Sequence, residues 1–319
     1  EFLGVPTPDT VQGQSVWPLV CGDVERLHEH AFSGRYPQGP VFARVARTFE
    51  RLAAKNEKAL VGFIIDGDPD VPASLAGIEA MCRGGLDLLE LGVPFSDPTA
   101  DGPAIQRSSA RAIAAGVGLK RVIGMIASIR GFTDIPVIVF SYYNPILAYG
   151  AEAFYRDALA AGADGVLVVD LPPEESAELT ARWPGDELCL IRLSAPTTPP
   201  ERLKAIAASA SGFIYHVSKL GVTGSQGVSV PEVERQVHAL RRATRLPICV
   251  GFGISTPAQV AAFGAVCDGV VVGSAFERLI EDNLGRPELP RMLGEQAAAL
   301  KAATRPGAGA GRRCGPAAD

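Results

Sequence analysis

Long apolar runs are the first thing this sequence lacks. No stretch approaches the roughly twenty residues a membrane-spanning helix needs, and a mean hydropathy of +0.17 with 47% hydrophobic residues reads as an ordinary soluble chain. Excess positive charge is missing as well. Thirty Lys and Arg against 35 Asp and Glu leave a net charge of −5 and a pI near 5.5, which argues against nucleic acid or an anionic membrane as the main partner. Histidine is scarce, with four in 319 residues. His28 and His30 are spaced to grip a metal but sit in a polar N-terminal segment, so no metal site is assigned. The six cysteines show neither CxxC nor zinc spacing, and Cys189 and Cys249 fall in apolar strand-like runs. They read as reduced core thiols of a cytoplasmic protein. Finally, ALVGFIIDGDPD carries no GxGxxG after the first apolar run, so the fingerprint of a doubly wound dinucleotide fold is absent.

Residues 1–42 lack a sustained period. With Glu1 where an initiator Met would stand, the chain is expected to begin at a processing junction. The acids Glu1, Asp9, Asp23, Glu25 and Glu29 are unlike a transit peptide, and no apolar core marks a secretory signal. The segment reads as an extension of unassigned role. From residue 43 to 305 the chain alternates, and 306–319 is a Gly/Ala/Pro-rich tail.

The alternation is regular. Short apolar runs occur at Ala59–Ile65, Leu86–Val93, Pro136–Asn144, Gly165–Leu171, Glu187–Leu193, Gly212–Ser218, Pro247–Gly253 and Gly269–Ser274, each followed by an amphipathic, helix-like stretch. Strands apolar throughout are expected where both faces are buried in a parallel sheet. Eight such units in about 250 residues predict a single (β/α)8 barrel, the TIM-barrel architecture.

One run contains an acid. In LDLLELGVPFSDPTADGP, Glu90 stands among Leu86, Leu88, Leu89 and Leu91. Loss of hydration disfavours its charged form, so its pKa is expected to rise into the range useful for donating a proton near neutrality. The prolines and glycines from Gly92 to Pro103 forbid regular structure and define a loop with Asp101 at its far end. Barrel enzymes place their sites at the strand C-termini and commonly bind phosphate after strands 7 and 8. Here those loops are GFGIS (Gly251–Ser255) and GSAFE (Gly273–Glu277), with a third glycine-rich loop, KLGVTGSQG, after strand 6. Its composition suits a mobile lid. The remaining strand ends offer Phe63, Tyr142, Leu167, Leu193, Tyr215 and Phe252, which suit a flat aryl substrate.

LELGVPFSDPTADGP, YYNP (142–145), VDLPPEES (169–176), GVTG (221–224), GFGIS and GSA resemble the alpha subunit of tryptophan synthase in order and spacing, over about residues 43–305. The resemblance implies cofactor-free retro-aldol cleavage of indole-3-glycerol phosphate to indole and glyceraldehyde 3-phosphate. It implies a beta subunit carrying pyridoxal phosphate as partner, in an alpha2beta2 assembly. By position, Glu90 is then the acid–base residue and Asp101 the carboxylate facing the indole N–H. Thr223 touches Asp101, and Gly224, Gly253, Gly273 and Ser274 hold the phosphate. Phe63, Tyr142, Leu167, Tyr215 and Phe252 line the indole pocket, while Asp170 supports the network on the substrate side. Ile65, Asp66 and Thr99 depart from the family's common pattern, the last in a loop that contacts the beta subunit in the family. A free-standing lyase, a weakly catalytic phosphate-binding activator and a phosphosugar isomerase or epimerase are the competing readings.

Overall fold

The strands close on themselves. In the computed structural model, which describes residues 42–185, 187–218, 229–251 and 253–305, eight parallel strands pair in chain order and the eighth returns to the first. They are β1 Ala59–Ile65, β2 Leu88–Gly92, β3 Val137–Ser141, β4 Gly165–Val168, β5 Cys189–Ser194, β6 Ile214–Val217, β7 Ile248–Gly251 and β8 Gly269–Val272. All the described residues lie in one compact unit, Pro37–Asp319.

The helices follow the same alternation. α1 (Phe42–Ala54) precedes the barrel; α2 (Val71–Arg83) follows β1, and α3 (Pro103–Ala114) and α4 (Leu119–Ile129) follow β2. After β3 come α5 (Tyr143–Tyr149) and α6 (Ala151–Ala161), and after β4 a five-residue α7 (Ser176–Thr180). α8 (Pro200–Ser209), α9 (Val230–Ala243) and α10 (Pro257–Gly264) follow β5, β6 and β7. α11 (Ser274–Asp282) and α12 (Leu289–Ala302) complete the ring. No single helix among the described residues is long and apolar enough to cross a membrane.

Several strands are shorter than their apolar runs. Tyr142 is not strand but the N-cap of α5, because Pro145 sits where a helix's first turn accepts it and a ladder would not. Ser274 likewise opens α11 instead of ending β8.

Side-chain alternation divides each strand between two cores. Val61, Leu88, Ile138, Leu167, Ile191, Tyr215, Cys249 and Val271 pack together inside the barrel. Their neighbours Leu60, Ile64, Leu89, Leu91, Val139, Val166, Val250 and Val272 face the helices. Cross-strand register agrees, with Val61 beside Leu88, Phe63 beside Glu90 and Tyr215 beside Cys249. Val45, Phe49 and Leu52, spaced along one face of α1, join the interior set and close the N-terminal end, with Phe49 and Phe213 ring centroids 6.0 Å apart.

That end is also tied by a repeated side-chain bond. Asp87, just before β2, accepts from the Leu60 amide at 2.9 Å; Asp164, before β4, accepts from Val137 at 2.8 Å; Asp268, before β8, accepts from Ile248 at 2.9 Å. Before β6, the Ser211 hydroxyl takes the same part toward Leu190. Each even strand is thus pinned to the odd strand before it. Cations complete the carboxylates: Lys301 on Asp87, Arg130 and Arg44 on Asp164, Arg241 on Asp268.

Candidate active site

The opposite end holds carboxylates of another kind. Leu88 faces the barrel interior, so by the two-residue period Glu90 does too. It is fully buried, and neither carboxylate oxygen has a hydrogen-bond partner among the described residues. Desolvation alone pushes its pKa up to about 8. The protonated form therefore predominates at neutral pH.

Glycines shape the surroundings of that acid. A Cβ on Gly92 would come within 2.8 Å of Phe63 Cζ, and one on Gly273 within 3.0 Å of Phe63 Cδ1. These two positions, on β2 and just after β8, leave a slot for Phe63, which packs edge-on against Phe140 at 4.9 Å. Gly251 does the same for Tyr215, whose phenol would collide with any side chain there. Burial raises the Tyr215 phenol well above its usual pKa and the nearby Glu90 adds to the rise, so the two groups feel one another.

Asp101 lies at the end of the loop after β2, where Gly102 caps α3 and Pro103 opens it. Turn bonds from Thr99 N to Asp97 O and from Asp101 N to Pro98 O hold the loop's shape. The Tyr142 hydroxyl donates to Asp101 Oδ2 at 3.0 Å and accepts from the Ala100 amide at 3.0 Å. One phenol thus fixes both the loop and its acid. Desolvation raises Asp101 to about 6, with the Tyr142 bond opposing the rise. At neutral pH Asp101 is ionised and Glu90 is not.

Two adjoining hollows open at this end. A cleft of about 740 Å³ is lined by Thr99, Asp101, Phe140, Val169, Asp170, Arg192, Leu193, Ser194, Tyr215 and Val217, among others. A narrower recess of about 50 Å³ is lined by Phe63, Asp101, Ile105, Tyr215, Gly253, Val271, Gly273 and Ser274, among others. Asp101, Phe140 and Tyr215 belong to both.

The recess is lined by a helix start, Gly273 and Ser274. Gly273 caps α11 with no side-chain bond to the first-turn amides, and while the Phe276 N–H is taken by the Gly273 carbonyl at 2.8 Å, the Ser274 and Ala275 N–H groups and the helix dipole are left for an anion. The N-terminus of α10 differs. There Thr256 and Gln259 form a reciprocal capping box that occupies the amides. Gly253 adopts φ of +79° with nothing within 4 Å of a would-be Cβ, so its backbone is open to close approach.

The expected residues distribute unevenly. Phe63, Asp101, Tyr215, Gly253, Gly273 and Ser274 converge on the recess, while Asp170 lines the cleft and accepts from the Tyr143 amide at 2.7 Å. Glu90, Leu167 and Tyr142 line neither hollow. Leu167 is fully buried in the interior core, in register between Phe140 and Ile191. Thr223, Gly224, the rest of the Lys219–Gly227 loop, Phe252, His28 and His30 lie outside the described residues.

Three buried polar groups have no site role in the sequence reading, although Asp66 stands out there as a departure from the family pattern. Glu277 is fully buried one turn into α11, accepts from the Ile65 amide at 2.6 Å, and is pushed up to about 8 by desolvation. Its position between Phe276 and Ile280 on the buried face of α11 was the available signal. Asp66 is buried and raised to about 7 by desolvation, with Ser74 as partner for one oxygen. Arg192 faces away from the barrel interior on β5, where an apolar side chain is the default.

Comparison with known proteins completes the picture. A family model described as tryptophan synthase alpha chain matches residues 49–304. The tryptophan synthase alpha chain of Desulfatibacillum aliphaticivorans is 61% identical over 261 residues, covering 82% of this chain and 98% of that protein. That of Desulfosudis oleivorans is 61% identical over 262 residues, with 82% and 99% covered. Among solved structures, tryptophan synthase subunit alpha from Legionella pneumophila superposes with a TM-score of 0.75 at 36% identity, covering 82% of this chain and 98% of that one. A chain from a structure of Mycobacterium tuberculosis tryptophan synthase gives 0.75 at 36% identity, with the same coverage.

Proposed function

The chain belongs to the tryptophan synthase alpha chain family, and from that premise we propose how its own residues carry out the reaction. It is a lyase that cleaves indole-3-glycerol phosphate in tryptophan biosynthesis. The observation that carries the assignment of roles is the pair of acids with opposite charge states: a buried Glu90, without a hydrogen-bond partner among the described residues and near pKa 8, and a Tyr142-held Asp101 near 6.

Glu90 gives its proton to indole C3. The ring becomes an indolenine cation, and the charge left on its N–H is stabilised by Asp101, which is already ionised. The Glu90 carboxylate then takes the proton of the glycerol hydroxyl next to the ring. The electrons of that O–H bond form the aldehyde, the bond from C3 to the side chain breaks, and its electrons restore the indole. The products are indole and glyceraldehyde 3-phosphate, and Glu90 ends protonated as it began. Burial serves both steps, because a group near pKa 8 donates and accepts with little driving-force penalty around neutrality.

Binding divides by chemistry. Gly253, Gly273, Ser274 and Gly224 hold the phosphate, the first three by the open helix end and glycine backbone described above. Phe63, Tyr215, Leu167, Tyr142 and Phe252 frame the ring, with Thr223 on Asp101 and Asp170 at the substrate side. No cofactor takes part on this chain. Its partner is a beta subunit carrying pyridoxal phosphate that receives the indole, as alpha2beta2; the support is that the Mycobacterium tuberculosis relative was solved as tryptophan synthase. Residues 43–305 form the catalytic domain, flanked by the 1–42 extension and the 306–319 tail.

The test is indole release from indole-3-glycerol phosphate by the full chain, alone and with a beta subunit. Stoichiometric indole and glyceraldehyde 3-phosphate, accelerated by the beta subunit, is the expected result. Equal and high turnover without it would make the chain a free-standing lyase. No indole under either condition would overturn the assignment.

A further inference from the structure

Strand β1 runs on past the point where one of its neighbours stops. Its ladder to β8 ends at Gly62 opposite Val272, while its ladder to β2 continues to Ile65 opposite Gly92. Successive amides of a strand face opposite sides. The Ala59 amide donates toward β8, to the Asp268 carbonyl at 3.0 Å, and the Asp66 amide toward β2, to the Gly92 carbonyl at 3.0 Å. Ile65, one step from Asp66, therefore points its N–H to the side that β8 has left, where Gly273 has turned off to start α11. Ile65 is buried, and a buried N–H without an acceptor is costly. Glu277, one turn into that same helix, supplies the acceptor, with Oε1 taking the Ile65 bond at 2.6 Å.

What the two partners carry gives the bond its consequence. On the helix side are the Ser274 and Ala275 amides left open at the start of α11. On the strand side, Phe63 lies two residues before Ile65, in register with Glu90, and its Cδ1 would be 3.0 Å from a Cβ on Gly273. The Glu277 side chain is thus a strut between the helix start and the strand end that bears the ring-facing residues. Further along α11, Glu281 meets Arg107 of α3 at 2.5 and 2.7 Å, and Phe276 and Ile280 are buried in the core. The helix therefore stays docked without the strut, and only its first turn is released. Glu277 is fully buried, and its Oε2 has no hydrogen-bond partner among the described residues. Desolvation, with Asp68 adding to it, raises its pKa to about 8 against the opposing Ser108, Ile65 amide and Arg111. At neutral pH it is an uncharged acceptor, which places no negative charge beside a bound anion.

We propose that Glu277 is a positioning residue whose bond to Ile65 fixes the spacing between the anion site at the start of α11 and the ring site at Phe63, beside Glu90. The inference rests on the reading of α11 as the phosphate end. A ligand that spans both sites senses this spacing, and a ligand that fills one of them does not.

The test is calorimetric titration of the full chain with two probes. One is indole-3-propanol phosphate, whose saturated three-carbon chain joins ring and phosphate and cannot be cleaved. The other is glycerol 3-phosphate, which has the anion without the ring. Glu277→Met, which fills the space without an acceptor, is expected to bind the spanning probe about tenfold more weakly, with glycerol 3-phosphate within about twofold of wild type. Glu277→Gln keeps the acceptor and matches the uncharged acid, so both probes should bind within about twofold of wild type. Glu277→Asp draws the carboxyl back by one methylene and should weaken the spanning probe by about threefold, which keeps the question open to measurement if Glu277→Met does not fold. Equal weakening of both probes would mean that Glu277 builds the anion site and not the spacing, and overturns the proposal. A spanning probe unaffected by the Met or Asp change overturns it as well, leaving Glu277 as packing. So does a Gln variant as impaired as Met, since the acceptor is then not the cause. A wild type that binds the spanning probe yet releases no indole from indole-3-glycerol phosphate sinks the lyase reading and leaves this one standing.

Discussion

The two ends of the barrel treat buried carboxylates in opposite ways. At the N-terminal end Asp164 accepts from a strand amide and from two arginines, at 2.8, 2.5 and 3.0 Å. Asp87 accepts from the Leu60 amide, Lys301 and Arg51, and the half-buried Asp268 from the Ile248 amide and Arg241. At the C-terminal end, among the described residues, Glu90 has no hydrogen-bond partner and Asp101 has one phenol on its carboxylate. The satisfied acids fix which strand lies beside which. The unsatisfied acid holds a proton at the position where the chemistry occurs. Burial is common to both, so the presence of donors decides whether a carboxylate stabilises the fold or is kept reactive.

The sharpest break in that contrast is Glu90→Gln. Gln keeps the shape and cannot donate and retrieve the proton, so indole formation is expected to fall by a factor of about 10² to 10⁴ with substrate binding still measurable. Stability should move the other way. The folded pKa of about 8 lies above the ordinary value of 4.5, so the stabilisation contributed by the protonated acid is fully present below that ordinary value. It is lost as pH rises through 8. The variant escapes this loss, and denaturant melts at about pH 6 and about pH 9 should show it gaining on the wild type at the higher pH. The same two groups set the wild-type rate profile. kcat/KM is expected to need Asp101 ionised, above about 6, and Glu90 protonated, below about 8. A flat profile across that window would remove both acids from the reaction.

At the other end, Asp164→Asn should do the reverse. It leaves Arg130 and Arg44 without their carboxylate, and breaking a buried pair of this kind costs about 3 kcal/mol or more. Equilibrium unfolding in urea measures the loss. Turnover of the folded fraction should stay near wild type, because nothing at the N-terminal end reaches the cleft. A large fall in kcat with unchanged stability would erase the distinction between the two ends.

How much of this could be read beforehand depends on whether the signal is local. Strand and helix order was legible because each strand is short, apolar and separated from the next by an amphipathic stretch. Glu90 was legible for the same reason, as an acid where only leucine belongs. Asp87, Asp164 and Asp268 were not, since a carboxylate at a strand's entry reads as an ordinary turn acid until its partners, a neighbouring strand's amide and distant cations, are known. Tyr142 illustrates the limit within the site. YYNP gives an aromatic at a strand end, yet the structure uses the hydroxyl to hold the Asp101 loop. Arg192 and Glu277 carry no local mark of being partly unpaired, because that property belongs to the packing around them.

A middle-sized effect separates the helix ends. Ser274→Asp puts a carboxylate at the uncapped start of α11, where it caps the amides and repels the substrate's phosphate. KM is expected to rise by about tenfold or more, with kcat less affected. The matching change at α10, Thr256→Asp, replaces one cap with another in a helix end that is already occupied, and KM should hardly move.

The smallest effect tests whether it is the amide or the cation that makes an N-terminal aspartate matter. Asp268 bonds the Ile248 amide at 2.9 Å and meets Arg241 at 2.9 Å, but the Arg241 and Asp268 side chains are 45% and 27% exposed. Water screens such a pair, so Arg241→Gln is expected to cost under about 1 kcal/mol. Asp164 is fully buried and its Arg130 is only 14% exposed. If Arg241→Gln cost as much as Asp164→Asn, the cations would be what ties the even strands to their neighbours. If it costs little, as burial argues, the strand amides do the tying and the cations only balance the charge.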